Sequence, residues 1–345
     1  MNKDRFFAGM LLAASLLLNT PATGEVPAVR SPEQGWWDDP YATGNWFGVR
    51  DTLEDHGVRV FGNWKGVFYG LTGGGGSAPR GTYAEEFQLG LILDFGKIAH
   101  IEGLKFKASV RYRDGRGPNF YTDTGASFSV SSIESGRQWR LMPFYFTYVT
   151  PELFGIEHFL TISGGWQDPW EYFADQPSSR LFTNAAITTV KGIGGVNHIP
   201  FTSSYVGWGG YVKLQPSRDW YTMGGVYMAD PEGADTDNHG LHFRGTRGRN
   251  GIYILGEMGY TPRIGSAKLP GKYAIGTIYW DGKETDLFPG QRRSQGRNAY
   301  YAQIDQMLFR ERKERHHVEH TGKAVITRTS HGEDVLLSLP ADDHE

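Results

Sequence analysis

The chain has 345 residues, of which 39% are hydrophobic and 14% aromatic, with 47 glycines, no cysteine and a formal net charge of -3 at pH 7. A mean hydropathy of -0.45 is too polar for a bundle of lipid-spanning helices, and after the N-terminal leader no segment offers about twenty consecutive apolar residues. The charge balance provides no broad cationic surface for nucleic acid, whereas the abundance of glycine and aromatic rings suits a barrel in which only alternate strand residues meet lipid.

At the N-terminus, Asn2-Lys3-Asp4-Arg5 precedes an apolar run over 6–18 and then Thr20-Pro21-Ala22-Thr23-Gly24. This is the pattern of a secretory signal peptide over residues 1–24, too short to span a bilayer. An exported chain without cysteine cannot rely on disulfides, and a fully paired barrel does not need them. Residues 25–45 are rich in Pro, Gly and Asp and read as an irregular lead-in, with a short helix completing an N-terminal unit that ends at 57. Over 46–56, Trp46, Val49 and Leu53 fall three and four apart, Arg50, Asp51, Glu54 and Asp55 take the remaining face, and Gly57 supplies a stop. Such a narrow stripe predicts docking against something larger.

Beyond Gly57 the period changes to two. The clearest strand is 105–113, where Lys105, Lys107, Ser109, Arg111 and Arg113 share one face and Phe106, Ala108, Val110 and Tyr112 the other. Four cations on one strand face require water. Segment 85–95 places Phe87, Leu89, Leu91 and Leu93 on one face and Glu86, Gln88, Gly90 and Asp94 on the other, with Ile92 the exception. Further strands are predicted over 58–69, 142–149, 159–166, 205–215, 220–228, 251–260, 272–280 and 299–309, about ten in all. Long connections such as 114–135, 168–200 and 230–250 alternate with short turns such as 215–219, the arrangement of elaborate loops outside and tight turns inside. A soluble β-sandwich also alternates, because one face of each sheet packs inward. Rings gathered at strand ends (Trp64, Phe68, Tyr69, Tyr112, Tyr148, Trp166, Trp220 and Trp280) favour the barrel, since they mark membrane interfaces.

Six ordered motifs carry a resemblance to a known family. The first is Gly44-Asn45-Trp46-Phe47-Gly48-Val49-Arg50 with Leu53 and Gly57-Val58. The next are Gly165-Trp166-Gln167-Asp168 with Glu171-Tyr172-Phe173-Ala174-Asp175, and Asp230-Pro231-Glu232 with Asn238-His239-Gly240-Leu241. The last three are Leu255-Gly256-Glu257-Met258-Gly259-Tyr260, Leu269-Pro270-Gly271-Lys272-Tyr273, and Asp305-Gln306-Met307-Leu308-Phe309-Arg310. In these the chain resembles the OprB-type carbohydrate-selective porins, although Asn45 and Phe47 stand where that pattern often has Asp and Gly. The resemblance implies an all-β fold, a sixteen-stranded transmembrane antiparallel barrel in a Gram-negative outer membrane, with a narrow, partly arginine-lined constriction that passes glucose and related sugars.

About ten strands fall short of that number, and the shortfall lies after Arg310. Residues 311–345 open with Arg312-Lys313-Glu314-Arg315-His316-His317, contain no strand of membrane length and lack the terminal aromatic strand usual in such barrels. The expectation is a barrel over 58–310 with about 10–12 strands and an atypical tail over 311–345, left by truncation or a shifted reading frame.

A sugar carries many hydroxyls, no charge and two weakly apolar faces, so a selective channel needs planar donors, carboxylate or amide acceptors and rings. Arg111 and Arg113 are the expected donors, with Glu86, Gln88 and Asp94 as acceptors; Lys65, Lys107, Tyr145, Trp170 and Tyr211 are further candidates whose facing depends on register. Trp166 and Trp208 read as girdle or lipid-facing rings rather than stacking platforms. The glycine strings 73–76 and 192–195 lack the rest of a nucleotide-binding motif, 235–238 lacks the acidic end of a calcium loop, and His316, His317 and His320 sit in the tail. Passive diffusion needs no catalytic residue, cofactor or metal. Sugar solutes and outer-membrane lipid are the expected partners, with monomer and homotrimer both open. Two rivals remain: a secreted β-sandwich carbohydrate-active enzyme or lectin, and a plugged structural or adhesive outer-membrane barrel.

Overall fold

Residues of alternating polarity pair into one sheet because each strand can then present a uniform apolar side and a uniform polar side. The computed structural model describes residues 43–70, 81–115, 133, 137–176, 178–179, 182, 207–228, 239–241, 243, 251–283 and 295–309, and the backbone of 327–329 and 332–334. Ten long strands run through it. These are β1 (Val58–Gly70), β2 (Gly81–Asp94), β3 (Leu104–Gly115), β4 (Gln138–Val149) and β5 (Leu160–Gln167). They continue as β6 (Gly207–Leu214), β7 (Trp220–Met228), β8 (Ile252–Tyr260), β9 (Leu269–Lys283) and β10 (Gln295–Gln306). Each pairs antiparallel with the next in chain order, so every predicted strand is present and the order is a simple meander.

The alternation is clearest in β7 and β8. Tyr221, Met223 and Tyr227, and Tyr253, Leu255 and Glu257, are covered, while Trp220, Val226, Ile254 and Met258 are exposed. The exposed face continues across β9 and β10, where Ile275 is 63% and Tyr300 75% exposed. Among the described residues no second sheet covers this face, which removes the sandwich, and so wide an apolar surface is tolerated only against lipid. No helix among the described residues is long and apolar enough to cross a membrane. On β2, Leu91 is exposed as expected, but Phe87 is covered, since its direct cross-strand neighbours are Trp64 and Tyr112. Trp280, expected as a girdle ring, instead packs inward against the core that contains Ile278 and Tyr253.

The turns segregate. The connections 95–103, 150–159, 215–219 and 261–268 share one end of the sheet. The first contains α2 (Phe95–Ala99), whose N-terminus Asp94 caps by accepting the Gly96 amide at 2.9 Å. At the same end lies α1 (Val49–Asp55), followed by Gly57 in the left-handed region at φ 83.

The predicted docking stripe of α1 is corrected. Trp46–Gly48 forms a separate 3-10 turn with Phe47 at φ 58 and Gly48 at φ 93, so the helical period does not run through it. Val49 is exposed and the buried residue is Arg50, whose guanidinium donates to the carbonyl of Gly44, the hydroxyl of Thr43 and the carbonyl of Val60.

A bulge interrupts β4. Val110 faces Leu141 and Ala108 faces Phe144, so two residues of β4, Met142 and Pro143, oppose the single Ser109 of β3, and Pro143 has no amide to donate to the ladder. Among the described residues no ladder joins β1 to β10. The short strands Thr327–Thr329 and Gly332–Asp334 pair with each other, the latter beside β1. The leader over 1–24, the lead-in up to residue 42, the rest of the tail with its histidines, and the strings 73–76, 192–195 and 235–238 lie outside the described residues.

Replacing Ile254 with Arg on the outer face of β8 should lower the unfolding free energy of vesicle-inserted protein by about 2–4 kcal/mol. Urea titration followed by tryptophan fluorescence measures this, and an unchanged midpoint would mean that this face does not meet lipid.

Candidate functional site

The inner face of β1–β4 gathers charges that lie far apart in sequence. Glu86 on β2 is directly opposite Arg113 on β3 and Lys65 on β1, so the register alone brings the three together. Arg113 donates from Nε to Glu86 Oε2 at 2.7 Å, with its Nη2 at 2.5 Å from the same oxygen. Arg111 Nη1 lies 3.6 Å from Oε2, and Lys65 Nζ 3.9 Å from Oε1. Glu86, Arg111 and Arg113 are only 6%, 7% and 8% exposed, so the cluster is largely withdrawn from water. One step along, the Gln88 amide donates to Ser109 Oγ at 3.1 Å and accepts from Asn63 at 3.4 Å.

A second group forms around the chain that leaves β5. Instead of turning outward, residues 168–176 with Ser178 and Ser179 fold against the inner wall. Asp168 caps a 3-10 turn, Pro169–Glu171, by accepting the Trp170 amide at 3.0 Å. Glu171 Oε2 lies 3.8 Å from Lys107 Nζ on β3, and Tyr172 packs against Tyr145 on β4 and Tyr211 on β6 with ring centroids 6.1 and 4.6 Å apart. Phe173 is fully buried among Tyr211, Tyr227 and their neighbours, and the Trp170 ring meets Tyr253 edge-on. Farther along, the Ser178 amide donates to Asp305 Oδ2 on β10 at 2.8 Å.

Through Glu171 the segment touches β3 and through Ser178 it touches β10, so one short stretch of chain reaches both sides of the inner wall.

The candidate residues therefore separate into three places. Arg111, Arg113, Glu86 and Lys65 form one ion cluster with Gln88 beside it, and Lys107, Tyr145 and Tyr211 contact the inward segment, of which Trp170 is itself a member. Asp94 joins neither, because it caps α2 at the short-turn end with Lys105 Nζ at 3.9 Å. The connection 168–200, expected as an outer loop, is corrected for its described part.

Several residues escaped the sequence reading. Arg140 faces Arg111 directly and is 3% exposed, but the bulge at 141–143 breaks the alternation that would have extended its strand. Asp168, Glu171 and Tyr172 lie in a recognisable motif, yet nothing in its composition signals an inward fold. Trp166, expected as a girdle or lipid-facing ring, does share the outer parity of Ile162 and pairs with Trp208, but it is covered there by Trp208 and Phe243, with ring centroids at 5.5 and 5.3 Å. Among the described residues no group of three or more His, Asp or Glu side chains is placed to hold a metal ion.

Burial, reinforced by the neighbouring Glu171, pushes the Asp168 carboxyl up to about 8, against the opposing pull of the Trp170 amide and Arg111. Lying beyond the end of β5, it is thus neutral at pH 7 beside the arginines and gains a negative charge as pH rises through that value.

A single antiparallel meander with an apolar outer face and an inward-folded segment against its inner face defines a protein of the outer-membrane β-barrel class. The chain belongs to the carbohydrate-selective porin, OprB family, which it matches over residues 78–333. It is 26% identical over 264 residues to Porin B of Pseudomonas aeruginosa, an alignment covering 75% of this chain and 55% of that protein. Its fold is similar to the structure of Pseudomonas putida OprB solved at high pH, with a TM-score of 0.68 and 22% identity over 79% of this chain and 66% of the other. The chain thus spans about half the length of Porin B and just under two thirds of the solved chain. Members of this family are outer-membrane channels of Gram-negative bacteria, not enzymes.

Because ionisation of Asp168 adds a negative charge beside the arginines, chloride permeability relative to potassium should fall between about pH 7 and pH 9. Reversal potentials in planar bilayers measure the ratio, and Asp168→Asn should show no such step.

Proposed function

We propose that the chain forms a water-filled pore through which sugars cross the outer membrane passively, with no reaction and no energy coupling. The observation that carries this reading is the joining of Glu86, Arg111 and Arg113 into one inner-face cluster on the wall that also bears Lys107 and Tyr145. Fixed guanidinium donors and a carboxylate acceptor match sugar hydroxyls, and the rings of Tyr145, Tyr172 and Trp170 offer surfaces for its C–H faces. Charges of both signs across a narrow interior also orient its water and hinder bare ions. The inward segment narrows the same interior, which raises selection by size.

One observation favours a plugged barrel instead: Phe173 and Ile278 are completely buried, so the inner face of β6–β10 is filled by packed side chains. Liposome swelling separates the two readings. A porin admits glucose faster than an uncharged non-sugar of equal size, while a plugged barrel admits neither. Arg111→Ala should reduce the preference for glucose about two- to tenfold, the range for loss of a hydrogen bond of about 0.5–1.5 kcal/mol. An unchanged preference would remove Arg111 from contact with the sugar.

A further inference from the structure

The inward segment is held by side chains that play no part in the arginine cluster. Glu257 on β8 is 3% exposed and stands on the inner face opposite Gly276 and Met223. Its Oε1 accepts from the Tyr221 hydroxyl at 2.5 Å, and its Oε2 from the Tyr301 hydroxyl at 2.5 Å and the Ala174 amide at 2.8 Å. The Ala174 amide also lies 3.2 Å from the Tyr301 oxygen, so carboxylate and phenol grip one backbone N–H together. Lys272 on β9 places Nζ 3.7 Å from Glu257 Oε1 and donates to the Asp175 carbonyl at 2.5 Å. Asp305 on β10 takes the Ser178 amide at 2.8 Å.

Three adjacent strands therefore hold three neighbouring points of one segment, and they hold its backbone, not its side chains. Ala174 is itself in the left-handed region at φ 54, a conformation an L-residue with a Cβ keeps only where its surroundings impose it. With the carboxylate removed, Ala174 loses an acceptor, two phenols lose theirs, Lys272 loses its counter-charge, and the local backbone is free to relax.

We propose that Glu257 is the positioning residue of the constriction: with Lys272 and Asp305 it clamps the inward segment to the wall and so sets the width of the passage. This rests on the pore reading above. Glu257 acts on solutes only through the segment, and its contribution is to exclusion by size, whereas Arg111 acts on recognition of the sugar. Loss of one charge-assisted hydrogen bond of this kind shifts the clamped-to-released equilibrium by roughly tenfold or more.

Single-channel recording in planar bilayers, paired with liposome swelling in glucose and in the trisaccharide raffinose, tests the proposal on wild type, Glu257→Ala, Glu257→Gln, Asp305→Ala and Arg111→Ala. Only inserted channels carry current, so a variant that merely folds less often gives fewer channels of unchanged conductance. The clamp predicts higher and noisier conductance and entry of raffinose for Glu257→Ala. Glu257→Gln, which keeps one acceptor oxygen, should fall between that and wild type, and Asp305→Ala should shift in the same direction. Arg111→Ala should lose glucose preference while still excluding raffinose. Wild-type conductance and raffinose exclusion in both Glu257 variants and in Asp305→Ala would overturn the clamp and leave the pore intact. A wild-type protein that inserts without conducting would overturn both.

Discussion

Hydrocarbon offers no partner to a backbone N–H or C=O, and the structure follows from that constraint. Each unpaired group in lipid costs several kcal/mol, so a chain that crosses by strands must place every strand beside another. Among the described residues ten long antiparallel strands do this as a meander, each strand returning next to its predecessor. Pairing fixes register, and register determines which side chains face lipid and which face inward. Glu86 meets Arg113 because β2 pairs with β3 at that offset, not because the residues attract across a loop.

Once the wall is set, its two halves serve different ends. The β1–β4 side carries charge close to the inner surface, where one carboxylate is shared by two guanidiniums and a lysine. Such a cluster is tolerated at low exposure because each member is paired, and breaking one pair would strand the rest. The β6–β10 side carries rings and aliphatic groups that would be poorly placed against water, and the inward segment covers them with Phe173 and Tyr172. The same segment therefore satisfies an apolar surface and narrows the interior. Its own polar backbone, withdrawn from water, is in turn satisfied by Glu257, Tyr301, Lys272 and Asp305.

Much of this was legible in the order of residues. A period of two is a local property, so all ten strands could be located, and the wet face of β3 followed from Lys105, Lys107, Arg111 and Arg113 alone. The joining of Glu86 to the arginines was foreseen as a face but not as a pair, because register depends on the turn at 95–103. Asp94 misled for the same reason: its parity on the strand is right, but it stands at the end, where the Gly96 amide competes for it. Arg140 was lost to a one-residue bulge, and Arg50 to its place on the face opposite the apolar stripe of a short helix. The inward segment was illegible, since a loop rich in polar residues reads alike whether it meets bulk water or a wall of tyrosines.

The central claim is that alternate residues of one strand meet lipid and water, and the absence of native cysteine makes it directly measurable. Single cysteines placed in turn from Lys105 to Arg113, with the protein in outer-membrane vesicles, can be reacted with a charged, membrane-impermeant thiol reagent and with a lipid-soluble one. The account predicts that positions 107, 109, 111 and 113 react with the charged reagent and 106, 108, 110 and 112 with the lipid-soluble one. Reactivity that did not alternate, or charged-reagent labelling at Val110 as fast as at Arg111, would contradict it.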